Sequence, residues 1–158
     1  MPIISGGNPI PGPSGVYHEE VSFTEAGGAL TYTGSVSVPA GAYLLEVIVH
    51  AVALWDNAGA VTMKVGDAAD DDGIFTGVNL KATDLLAGES ICIEAAGGKQ
   101  GADLDDFAAP GAQMRRRYLS TARVISGIIT AAGAGGSAGG RRMVVYTLPG
   151  AAIAATSA

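Results

Sequence analysis

Hydrophobic and polar residues alternate with a period of two along much of this chain, most clearly over Ala42–Val65. Tyr43–Trp55 is the longest apolar run, rich in β-branched residues and free of Pro and Gly. That composition predicts a pleated strand rather than a short helix. Alternation puts Leu45, Val47, Val49, Ala51, Ala53 and Trp55 on one face and Leu44, Glu46, Ile48, His50, Val52 and Leu54 on the other. The pattern predicts a central strand covered on both sides, with Glu46 and His50 forming a hydrogen-bonded pair on the second face. Asp56-Asn57-Ala58-Gly59 supplies turn residues, and Val61, Met63 and Val65 resume the period, which predicts a hairpin.

The same reading predicts strands over Val16–Phe23, Leu30–Val38, Ser90–Glu94, Val124–Thr130 and Arg141–Leu148, and a short strand or excursion from Ile74 to Leu80. In Leu30–Val38 the residues Leu30, Tyr32, Gly34, Val36 and Val38 alternate with Thr31, Thr33, Ser35 and Ser37, so one face is buried and one wet. Gly127 marks a possible bulge. Ala131–Gly140 contains only Ala, Gly and Ser and reads as a flexible hairpin loop, and Ala95–Ala112 as a long loop. Ala151–Ala158 reads as a weak strand or a small-residue tail. Some eight short strands with turns between them predict an all-β, single-domain antiparallel β-sandwich, jelly-roll-like, over residues 16–158. Residues 1–15 hold four prolines, four glycines and no charged side chain, and are expected to form an extended arm.

Composition changes the picture in one respect. Hydrophobic residues make up 48% and charged residues 15%, against about 25% charged in typical domains. Surfaces so poor in charge, in a chain with 24 glycines, suit a protein covered by neighbours. All 15 acidic residues and the three lysines lie in Met1–Asp106, while Phe107–Ala158 holds six arginines and no acid. This asymmetry suggests electrostatic matching within one subunit or between subunits. The apolar runs fall short of the roughly 18–20 residues of a membrane helix, and the N-terminus lacks the pattern of a signal peptide, so synthesis and assembly inside a cell, without membrane association, is expected.

Several motifs invite chemistry and are better explained without it. Gly135-Gly136-Ser137-Ala138-Gly139 matches the nucleophile-elbow spacing, but a strand–turn–helix context is needed to expose such a serine. Gly133-x-Gly135-x-x-Ala138 lacks the βαβ context of a dinucleotide site, and Gly98-Lys99 lacks the rest of a phosphate loop. Asp67, Asp70, Asp71 and Asp72 do not have the spacing of a calcium loop and read as a solvated acidic turn. His18, beside Glu19 and Glu20, has no further ligand in sight, and Cys92 in an apolar run reads as a buried, inert thiol. No catalytic residue, cofactor or metal site is expected. Arg115, Arg116 and Arg117, with Arg123, Arg141 and Arg142, read either as a nucleic-acid patch or as partners for acidic groups of a neighbour. The pI of about 4.7 favours the neighbour over direct nucleic-acid binding.

Ser35–Gly88, above all Val36–Val47 (VSVPAGAYLLEV) and Met63–Gly73 (MKVGDAADDDG), resembles structural proteins of tailed-bacteriophage virions, most of all the head decoration, or cement, proteins. The shared pattern is a strand, Pro-Ala-Gly, a long strand, a turn, and a strand ending in Val-Gly-Asp. The resemblance implies a β-rich, non-enzymatic component on the capsid surface that ties major capsid subunits together, often as a homotrimer. The contact residues expected for that role are Pro2, Ile3, Ile4, Pro9, Ile10, Pro11 and Pro13 in the arm, and Arg115, Arg116, Arg117, Arg141 and Arg142. Two alternatives stay open: a tail or fibre β-sandwich that binds a receptor or glycan, and a hydrolase that uses Ser137.

Overall fold

The computed structural model describes residues 15–81, 84–104, 117–133 and 135–150. Among them are eight strands and no helix: β1 (Tyr17–Thr24), β2 (Thr31–Val38), β3 (Tyr43–Ala53), β4 (Val61–Gly66), β5 (Phe75–Asn79), β6 (Ser90–Cys92), β7 (Arg123–Ala131) and β8 (Gly140–Leu148). They form two four-stranded antiparallel sheets, ordered β1-β8-β3-β6 and β2-β7-β4-β5. The result is an all-β sandwich with jelly-roll-like connectivity, because six of the seven connections cross from one sheet to the other.

Strand positions follow the alternation, but strand partners do not follow chain order. β3 and β4 are not a hairpin: they lie in opposite sheets, so the Asp56–Gly59 turn spans the sandwich. Ala131–Gly140 likewise joins β7 to β8 across the two sheets rather than closing a hairpin. The one hairpin between consecutive strands is β4–β5, around the acidic loop.

β3 departs from simple alternation in an instructive way. The ladder shifts register between Leu44 and Glu46, so Leu45 is the extra residue. Leu44 therefore faces inward together with Val47, Val49 and Ala51, all at 3% exposure or less. The second face is not covered as expected: Ile48 and His50 are half-buried and Val52 is exposed, as fits a sandwich, where each sheet buries one face.

Gly127 is not a bulge. It sits in unbroken register opposite both Gly34 and Val65. A Cβ on Gly34 or Gly127 would come within 2.9 Å of the Phe23 ring. The facing glycines thus make room for an aromatic ring from the other sheet, which is 4% exposed. Phe23 packs into one core with Met63, Val65, Phe75, Ile125, Ile129 and Met143, each contributing about 1.5–3 kcal/mol by burial.

Candidate interaction surface

The two ends of the sandwich differ in kind. One end is formed by the loops 25–30 and 54–60 and the described parts of 80–89 and 132–139, and it is stapled by buried polar groups. The Glu25 carboxylate, 4% exposed, accepts hydrogen bonds from the backbone N–H groups of Asp56 (3.1 Å), Asn57 (3.1 Å) and Gly139 (2.9 Å). Asn57 Nδ2 donates to the Gly133 carbonyl at 3.0 Å, and Lys81 Nζ donates to the carbonyls of Asn57 and Gly59. The described part of Ala131–Gly140 is therefore fastened rather than free. Gly136 and Gly139 are there because a Cβ would lie 1.7 Å from Glu25 Oε1 and 2.6 Å from the Trp55 ring, respectively. The tract that carries Ser137 runs between two strands, so the strand–turn–helix geometry of a nucleophile elbow is not formed.

Asp56 closes this network from outside. The Ser137 and Ala138 N–H groups (2.9 and 3.3 Å) and a hydrogen bond with Glu25 hold its carboxyl below the ordinary 3.8. A depressed carboxylate stabilises the fold above its unfolded value and stops doing so as pH falls through the folded one. Protection of the Ser137 and Ala138 amides, measured by hydrogen exchange, should thus be flat down to about pH 4 and fall only below it.

Arg141, expected on a contact surface, lies inside at 1% exposure. Its guanidinium donates to the carbonyls of Ala53, Gly140 (2.7 Å), Leu80 (2.6 Å) and Leu85 (3.3 Å). Burial lowers its pKa to about 10, so it stays charged at neutral pH and is held by carbonyl dipoles. It serves the fold, not a surface. Period-two reading could not separate it from Arg142, which alternates to the outer face and pairs loosely with Glu20 at 3.8 Å.

Other expected pairs also resolve differently. Glu46 Oε1 accepts from the N–H groups of Val47 and Ile93 (2.9 and 2.8 Å), while His50 Nδ1 meets Ser90 Oγ at 2.8 Å, so the two do not rely on each other. His18 stacks on Tyr146 with ring centroids 5.6 Å apart. Cys92 is half-buried rather than enclosed. The acidic turn is organised, not merely solvated: Asp67, 6% exposed, accepts from the Ala69 N–H at 2.9 Å and lies 3.6 Å from Arg123 Nη1. The carboxylates of Asp70, Asp71 and Asp72 offer oxygens within 4.8 Å of one another. All three are engaged within the turn and its strands: Asp70 accepts from the Asp72 N–H at 3.4 Å, Asp71 pairs with Lys64, and Asp72 accepts from Thr76 Oγ1 at 2.8 Å.

The opposite end, which also holds the acidic turn beside Arg123, is the one that exposes apolar side chains. Nine large hydrophobic side chains are exposed among the described residues, and six of them gather here: Val16, Tyr17, Tyr43, Tyr118, Val124 and Leu148. The pairing explains why, since Tyr43 bridges Tyr118 and lies opposite Leu148, while Tyr17 lies opposite Thr147. Arg117 holds its guanidinium 5.9 Å from the centre of the Tyr43 ring. A cleft of about 250 Å³ opens at the seam where β1 and β8 of one sheet meet β2 of the other. Residues 1–14, 105–116 and 151–158 all connect to the body at this end, through Gly15, Leu104, Arg117 and Gly150. Pro2, Ile3, Ile4, Pro9, Ile10, Pro11, Pro13, Arg115 and Arg116 lie outside the described residues.

No protein-family model matches the chain, and no curated protein matches it. Solved structures do match in fold. A chain of the cyanophage Pam1 capsid asymmetric unit superposes with a TM-score of 0.55 at 17% identity, covering 94% of both chains. A chain of the capsid of Ralstonia phage GP4 gives 0.52 at 19% identity over 90% of both. A chain of the acid-stable capsid of Helicobacter pylori bacteriophage KHP30 gives 0.52 at 17% identity, covering 85% of this chain and 88% of that one. The protein therefore has, over nearly its whole length, the fold of chains found in bacteriophage capsids.

Proposed function

We propose that this protein is a non-enzymatic virion structural protein that decorates the capsid and stabilises it by bridging neighbouring major capsid subunits, as a homo-oligomer, with a trimer favoured. The observation that carries this reading is the conjunction of a capsid-type fold over nearly the full chain with one apolar end from which three segments issue. Binding the assembled shell better than its free subunits stabilises it by mass action. The uncharged arm 1–15 adds a second point of attachment across a lattice joint. Arg117 stands beside the apolar end, and with Arg115 and Arg116, its neighbours in sequence, it suits acidic groups of a shell subunit.

The test is occupancy on capsids of the phage that encodes the protein, measured by electron cryo-microscopy after adding purified protein. Density on the outer surface is expected, with at least tenfold weaker binding for a variant lacking residues 2–15. Charge reversal at Arg115–Arg117 should weaken binding more at low salt than at high. Absence of any density on the shell would sink the proposal. One observation favours a second reading, a tail or fibre module for a glycan: Tyr17, Tyr43 and Tyr118 are exposed at the same end. Glycan-array binding that disappears in Tyr118→Ala would support it.

A further inference from the structure

The seam cleft is lined mainly by Tyr17, Val36, Pro39, Ala42, Val145 and Pro149, with His18 and Glu19 of β1 beside them. A second hollow of about 240 Å³, lined in part by Arg123 and Val124, shares Ser37 and Pro39 with it, so the two flank the end of β2. At about 250 Å³ the cleft falls below the roughly 300–1,000 Å³ typical of small-molecule sites. A wall of proline, tyrosine and aliphatic side chains instead fits a proline-rich extended peptide, which docks in such grooves at low entropic cost. The chain has one segment of that chemistry, Pro9-Ile10-Pro11-Gly12-Pro13, and it joins the body four residues before Tyr17.

We propose that this groove receives the Pro9–Pro13 segment of a second copy, so that the protein self-associates by exchanging N-terminal arms. The alternating prolines fix φ at 9, 11 and 13 and hold the residues before them extended, making a stiff rod. To enter its own groove, that rod would have to reverse within Ser14–Val16 and run back along β1. A neighbouring copy meets no such constraint. The arm carries no charged side chain, so the contact is apolar and insensitive to salt, unlike the arginine contacts proposed for the shell. Pro2, Ile3 and Ile4 remain available beyond the groove. The exchange stands or falls independently of what the body docks against.

The test uses full-length protein in sedimentation velocity over a concentration series. Wild type is expected to associate equally well at low and high salt. Ile10→Asp in the arm and Ser37→Trp in the groove should each shift the association midpoint at least tenfold towards monomer, with unchanged circular dichroism. Mixing the two variants should restore a complex, because the intact arm of one fits the open groove of the other. A synthetic peptide of residues 2–14 should dissociate wild type, a measurement that needs no groove variant. A monomeric wild type, variants that associate like wild type, a mixture that stays monomeric, or a peptide without effect would each overturn arm exchange. Docking to the shell is tested separately by capsid occupancy, while a monomeric wild type would also end the homo-oligomer part of the proposed function.

Discussion

Arg141→Ala is expected to lose about 3–5 kcal/mol of stability, the largest effect of any single substitution considered for this protein. The guanidinium satisfies four carbonyls, of Ala53, Leu80, Leu85 and Gly140, at a site 1% exposed to solvent. Truncation strands those carbonyls and leaves a cavity that neighbouring backbone cannot fill. Arg141→Met would fill most of the space yet supply no donor, so it should recover only part of the loss. Arg141→Lys keeps the charge but lacks the planar fork that reaches β3 and the 80–85 loop together, and should fall between the two. Urea unfolding at neutral pH checks the series. A loss below about 1 kcal/mol for the alanine variant would mean that water replaces the guanidinium and that the buried cation is not a staple.

Glu25→Ala should cost about 2–4 kcal/mol, for a related reason. Its carboxylate is the shared acceptor for three N–H groups belonging to two different loops. Without it, those donors are buried unpaired and the 132–139 connection loses its anchor. Gly136→Ala should be nearly as damaging in the wild-type background, because the added methyl would meet Glu25 Oε1 at 1.7 Å. In a Glu25→Ala background part of that clash is gone, so the double mutant should be more stable than the sum of the single losses by about 1 kcal/mol or more. Strict additivity would show that the carboxylate and the glycine are independent, contrary to the geometry.

Both effects act around a part of the chain whose sequence looks uninformative, since Glu25 holds Gly139 and Arg141 holds Gly140. Ala131–Gly140 is low in complexity, and such tracts ordinarily signal flexible linkers. Here the small residues mark occupied space: Glu25 and Trp55 stand where side chains would be. The signal that could have found this was a buried acid at the end of β1, but nothing in one sequence says that Glu25 is buried while Glu19 and Glu20 are exposed. The same holds for Arg141 against Arg142, adjacent cations with opposite fates.

The proposed contact surface draws only partly on what the sequence carries. An uncharged, proline-rich arm and a basic second half are read from the chain directly and suggest a binding role. Which apolar side chains stay uncovered was not legible, because Tyr17, Tyr43, Tyr118 and Leu148 come together only through the pairing of β1, β3 and β8.

By itself the sequence determined where the strands run and which side of most of them is apolar, since alternation is a property of a single strand and its period is fixed by the pleat. It also determined the class of fold, through the number of strands and turns. Only the tertiary structure decided that β3 and β4 part into opposite sheets, that a bulge turns Leu44 inward, and that Glu25 reaches Gly139 across 114 positions of chain. Those outcomes depend on which distant segments jointly bury apolar area while satisfying every enclosed polar group, a condition that no local pattern encodes.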